Sequence, residues 1–130
     1  MTLVLFVAAV LFVTDLSRLP PGFNSEEIAS ISVAETVRTG KIATFYNVGN
    51  RGYEGLYPML EAAVTGVIGD GLLCYRILST WCGLLSVALA FALIRRINGD
   101  FAGIAGSLAL AVGLWPVILA RSAIPETLLL

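Results

Sequence analysis

The chain has 130 residues, 58% of them hydrophobic and only 13% charged, with a formal net charge of −1 and a mean hydropathy of +0.90. Soluble domains average about 45–50% apolar and about 25% charged residues, so an ordinary soluble enzyme, a disordered segment and a basic nucleic-acid binder all fit poorly, and an integral membrane protein fits well. There is no histidine, which removes Ser-His-Asp catalysis, histidine metal sites and histidine pH switching from this segment.

In chain order, residues 2–14 are apolar throughout but too short alone to cross a bilayer. Continuing to residue 19 gives enough length, with Asp15 and Arg18 one turn apart and able to pair at the interface. With no basic leader stretch and no small-x-small cleavage pattern, residues 1–19 are expected to form a first transmembrane helix, broken by Pro20-Pro21-Gly22. Asn24 is placed to cap the next helix, and Glu27, at its third position, to reach back. Gly40 stops that helix. The expected helix, about 25–39, carries Ile28, Ile31 and Val37 and suits the membrane surface. The glycines and asparagines of residues 47–57 mark a tightly folded loop, with Tyr53 and Tyr57 suited to a membrane interface. Residues 56–68 follow, with Pro58 near the start and Glu61 in the middle. Their length fits an interfacial helix better than a span, and a carboxylate at mid-membrane is unfavourable.

Residues 77–94 and 101–120 hold 18 and 20 residues without a charge, reaching ~27 and ~30 Å as helices, enough to span a bilayer. Gly99/Gly103 and Ala102/Gly106 supply small residues at packing spacing, and Trp115 falls where an aromatic belt would lie. Cys74 and Cys82, on one helix, would sit ~12 Å apart along its axis, which excludes a disulfide and leaves two small apolar residues. Arg95-Arg96 is the densest positive charge and places the connection between these two spans in the cytoplasm. The expected fold is therefore all-α and polytopic, with three spans. An extracytoplasmic loop, residues 20–76, carries two surface helices. The apolar run Thr127-Leu128-Leu129-Leu130 begins a further segment, so the chain is expected to be the N-terminal part of a larger protein.

In this arrangement Glu26, Glu27, Glu54 and Glu126 all face the outer side, together with Arg51, Tyr53 and Arg121. Each has an ordinary explanation: acidic residues are favoured in a first helical turn, and an arginine directly after a span snorkels to the headgroups. Gathered at one face they suggest a site, in which a carboxylate can accept a proton from an incoming hydroxyl.

The order Leu19-Pro20-Pro21-Gly22, then Glu26-Glu27, then Gly49-Asn50-Arg51-Gly52-Tyr53-Glu54 resembles the first external loop of polytopic GT-C glycosyltransferases, in particular the protein O-mannosyltransferase-like family and the aminoarabinose lipid A transferases. Tyr75-Arg76-Ile77-Leu78-Ser79 with its span and Arg95-Arg96, and Trp115-Pro116 with Arg121 and Glu126, are similar as well. The resemblance covers nearly the whole chain, mostly as membrane-helix texture. It implies a multi-pass cell-membrane enzyme that takes a sugar from a polyprenyl-phosphate donor at the extracytoplasmic face. The acceptor would be a hydroxyl of a lipid, protein or glycan, and the sugar's configuration would invert. By this resemblance Glu26 stands at the position of the family's base and Glu27 at the glutamate beside it, while Glu54 and Glu126 match the family's later acidic residues; in this chain those two are expected to position acceptor or donor. The chain departs in having Glu26 in place of aspartate, and Gly55-Leu56 where the transferases carry Lys-Pro. The lysine that would hold the donor phosphate is thus absent there, and Arg51 and Arg121, with Tyr53, are the candidates to bind it. No cofactor is expected, although clustered carboxylates leave a divalent cation open. The alternative is a non-enzymatic membrane subunit or an inactive, truncated homologue.

Overall fold

A computed structural model describes residues 1–16, 22–49, 51–69 and 71–129. These are mostly helical: α1 (Thr2–Val13), α2 (Ser25–Arg38), α3 (Leu56–Ile68), α4 (Leu72–Asn98), α5 (Asp100–Val112) and α6 (Leu114–Arg121), with a 3-10 turn at Pro125–Leu129. Between α2 and α3 lies an antiparallel hairpin of β1 (Phe45–Val48) and β2 (Arg51–Glu54), in register from Phe45 opposite Glu54 to Val48 opposite Arg51. The expected helical architecture holds, with this short hairpin added to it. The segment read as a tight loop does turn at Gly49, with φ +56°, but the aromatic and β-branched residues before it pair with the residues after it as strands.

The first helix is shorter than expected. It ends at Val13, because Thr14 leaves helical geometry (ψ 124°) while its N–H and its hydroxyl both donate to the Val10 carbonyl, and Asp15 takes φ +53°. Twelve residues reach ~18 Å, short of a ~30 Å hydrocarbon core. The Pro20-Pro21 break, the end of the expected span at Leu19 and the Asp15–Arg18 pair lie outside the described residues. Helix α2 begins as read: Glu27 Oε2 accepts from the Asn24 N–H at 2.8 Å, closing a capping box. Helix α3 has the expected bounds, 56–68.

The span expected at 77–94 is part of a longer helix, α4, of 27 residues, ~40 Å. Among the described residues it is the one unbroken helix long and apolar enough to cross a membrane. Arg95 and Arg96 occupy its last turn, where cations complement the helix dipole. Gly99 alone, at φ +85°, joins it to α5. The two helices then pack antiparallel, with Gly103 against the Arg95 backbone and Gly106 against Ile94, the close approach that small residues permit. The span expected at 101–120 is not one helix: it divides at Gly113 into α5 and α6, bent by 59°. Pro116 explains the break, since it has no N–H to donate and its ring crowds the carbonyl one turn earlier. Cys74 and Cys82 are both free.

The apolar core gathers Val4, Ala8 and Phe12 of α1, Val87 of α4, Ala111 of α5 and Ala120 of α6. Its tightest crossing is at Gly83, where an added Cβ would stand 2.6 Å from Ala120 Cβ and 3.1 Å from Phe12 Cε2. Away from this core, large apolar side chains such as Trp81, Leu85, Leu89 and Leu93 line an exposed face of α4. Gly83→Ala is expected to lower stability by about 1–3 kcal/mol through overpacking. Thermal unfolding in detergent measures it, and an unchanged midpoint would contradict this packing.

Candidate functional site

The first turn of α2 positions two adjacent glutamates that face opposite ways. Glu27 is fully buried, as is Arg76 of α4. Arg76 Nε donates to Glu27 Oε1 at 3.2 Å and Nη2 to Oε2 at 3.3 Å. The same guanidinium donates to the Leu16 carbonyl at 3.1 Å and to the Gly22 carbonyl at 2.6 Å, and the Phe23 ring lies 5.8 Å from it. Glu27 Oε1 also accepts from the Ala123 N–H at 2.8 Å. Glu27 therefore joins α2 to α4 and to the segment after α6. It caps its helix as expected, but it stands behind the surface and does not line the cavity that takes in Glu26.

Glu26 points outward. Arg51 Nη1 donates to its Oε1 at 2.5 Å, and the Tyr53 hydroxyl donates to Oε2 at 3.0 Å. Partial burial and the hydrogen bond to this carboxylate raise the Tyr53 phenol above its usual pKa. Glu26, Arg51, Tyr53, Glu54 and Glu126 line one cavity of about 450 Å³, backed by Tyr57. Residues exactly one hundred positions apart at the extremes, Glu26 and Glu126, thus meet in one place. A second cavity, of about 690 Å³, lies alongside and shares Glu26 and Glu126. Its other walls are largely apolar, including Leu110, Trp115, Ile118 and Leu119 from the α5–α6 bend. The two glutamates stand at the boundary between a polar opening and an apolar groove.

Arg121 is not at this cavity. Its Nη1 and Nη2 donate to the Leu11 and Thr14 carbonyls at 2.8 and 2.7 Å, satisfying the C-terminal end of α1. The structure thus engages it at α1, outside the cavity that the sequence expected it to share. The position where the resemblance expects lysine is also explained: a side chain at Gly55 would collide with the Ala43 carbonyl and meet the Thr44 carbonyl at 3.2 Å, while the Gly55 N–H donates to Thr44 at 2.8 Å. Closing the base of the hairpin requires glycine there. Among the described residues no group of three or more His, Cys, Asp or Glu is arranged to hold a metal.

Behind the cavity sits a buried network. The Tyr57 hydroxyl and Ser79 Oγ lie 2.7 Å apart, and Thr127 Oγ1 lies 3.4 Å from Ser79 while donating to the Leu119 carbonyl at 3.0 Å. This ties α3, α4 and the 3-10 turn that carries Glu126. Burial raises the Tyr57 phenol well above its ordinary range. Glu61 was legible in the sequence only as a carboxylate in an apolar helix. It is fully buried, accepts from Ser30 Oγ at 2.9 Å, and leaves Oε1 without a partner. Burial chiefly, with the nearby Glu27 charge adding and the Ser30 hydrogen bond opposing, pushes its pKa up to about 8. It is a neutral acid at pH 7 and joins α2 to α3.

No protein-family model, curated protein or solved structure matches this chain.

The raised pKa of Glu61 sets a sign. Between its ordinary value of 4.5 and about 8 the folded state holds a proton that the unfolded state has lost, so stability falls as pH rises through that window. Glu61→Gln, which keeps an acceptor for Ser30, is expected to flatten this dependence and to raise the unfolding midpoint at pH 8. Parallel pH profiles for the two proteins would refute the neutral buried acid.

Proposed function

We propose that the chain belongs to a polytopic GT-C-type membrane glycosyltransferase, taking a sugar from a polyprenyl-phosphate donor at the extracytoplasmic face of the cell membrane. The observation that carries this reading is the meeting of Glu26, Glu54 and Glu126 with Arg51 and Tyr53 in one cavity, open beside an apolar groove of a size to admit an isoprenoid segment. With Arg95-Arg96 in the cytoplasm, α4 runs inward and the bent α5–α6 pair outward, and the cavity lies on the outer side. Helices α2 and α3 then lie at the membrane surface.

The chemistry follows from the charges. An acceptor hydroxyl enters beside Glu26, which takes its proton as the oxygen attacks the anomeric carbon. The new glycosidic C–O bond forms on the face opposite the phosphate, the anomeric carbon–oxygen bond to phosphate breaks, and polyprenyl phosphate leaves with inverted product behind it. Arg51 neutralises the phosphate charge, which a guanidinium does with paired donors. Glu54 and Glu126 position acceptor and donor from the cavity rim. The acceptor is a hydroxyl of a lipid, protein or glycan, and the chemistry requires no cofactor.

A second reading, an inactive homologue serving as a membrane subunit, is favoured by the ion pair that already engages Glu26. One assay separates the two. The full-length protein, reconstituted with a radiolabelled polyprenyl-phosphate sugar, is expected to transfer sugar, and Glu26→Gln to lower turnover by about 10²–10⁴-fold, the usual contribution of a general base. Full activity in that variant would remove Glu26 as the base. No transfer by the unaltered protein with any such donor would favour the subunit.

A further inference from the structure

The hairpin grips both oxygens of the Glu26 carboxylate. Arg51 and Tyr53 are two residues apart on β2, so their side chains leave the same face of the strand, and each takes one oxygen, at 2.5 and 3.0 Å. This grip differs in kind from the neighbouring one. The Glu27–Arg76 pair has side-chain exposures of 1% and 0%, and Arg76 is further bonded to two backbone carbonyls. The Arg51 side chain is 71% exposed and that of Glu26 34%. An exposed pair of this sort holds weakly, whereas an arginine grips a phosphate through paired, charge-assisted donors. A phosphate entering the cavity can offer Arg51 two oxygens where Glu26 offers one.

We infer that the β1–β2 hairpin is a latch on Glu26 that a phosphate group opens: the phosphate takes Arg51 from Glu26, so that donor binding and release of the carboxylate for the acceptor are one event. The inference rests on the glycosyltransferase reading and adds an order to it, donor before acceptor. It also gives Arg51 two successive partners. Before the exchange it neutralises Glu26, and afterwards it neutralises the donor. The carboxylate freed by the exchange keeps the Tyr53 hydrogen bond on Oε2 and leaves Oε1 open toward the cavity. The shared chemistry is a phosphate ester, and the apolar groove meeting the cavity at Glu26 and Glu126 favours one carried on a lipid.

The test is the dissociation constant of polyprenyl phosphate for the full-length protein in nanodiscs, alongside Glu26→Gln and Arg51→Gln. A latch makes Glu26 a competitor of the ligand, so Glu26→Gln is expected to tighten binding by about fivefold while Arg51→Gln weakens it by about tenfold or more. Removing any carboxylate of the cavity also eases repulsion of an anion, so Glu126→Gln, which lines the same cavity, is the control. The latch predicts that Glu26→Gln tightens binding more than Glu126→Gln does, and equal tightening in the two would overturn it. Unchanged affinity in Glu26→Gln, with Arg51→Gln still weak, would overturn the latch and leave the sugar-transfer reading standing. Absence of binding by all four proteins would overturn both. In a competition arm, inorganic phosphate at the same concentration is expected not to displace the lipid; displacement would overturn the lipid source and assign the latch to a water-soluble phosphate.

Discussion

Glu27 and Arg76, 49 residues apart in sequence, meet where neither has any contact with solvent. Removing two charges from water is unfavourable, and the arrangement is tolerable only because every oxygen and most of the guanidinium find further partners. Those partners are what organise the molecule. The Ala123 N–H fixes the end of the chain that carries Glu126, the Asn24 N–H fixes the start of α2, and the Leu16 and Gly22 carbonyls bring the ends of the first connection onto α4. Deleting one member of such a pair commonly costs about 3–5 kcal/mol, because the other charge is left buried alone. The cavity is a consequence of this knot, since three of the segments that line it or flank it are tied there.

On the first turn of α2, one residue separates a fixed charge from an exchangeable one. Glu27 faces inward and is saturated, while Glu26 faces the cavity and is held by an exposed arginine. Both begin as acidic residues at a helix N-terminus, where the dipole welcomes either; burial alone distinguishes them. Glu61 adds a third state, a carboxyl kept neutral by burial with a single hydrogen bond. Three glutamates within one small helical corner thus do three different things, and the surroundings of each, not its chemistry, decide which.

The helix bounds of α2 and α3 were legible because their signals are local: an asparagine cap with glutamate three residues on, and an apolar run closed by glycine. The hairpin was not, since glycines and asparagines mark a turn without saying whether the flanks pair. The break at Gly113 was hidden by an uninterrupted apolar run, although Pro116 carried the signal. At the site, Glu26, Glu54, Glu126, Arg51 and Tyr53 line one cavity. What sequence could not separate was lining from support. Glu27 and Arg121 look the same as their neighbours until hydrogen bonds to distant carbonyls and amides are seen, and Arg76 gave no sign of its role because its partners lie 49 to 60 residues away.

The central claim is that segments far apart in the chain close around one cavity. Pulsed electron-resonance distances between spin labels at Leu56 and Leu128, two exposed residues on the cavity wall, test it directly in the reconstituted full-length protein lacking Cys74 and Cys82. The account predicts a single narrow distribution well below the ~30 Å thickness of the hydrocarbon core. A distance at or beyond that thickness would place the two walls on opposite faces and contradict it.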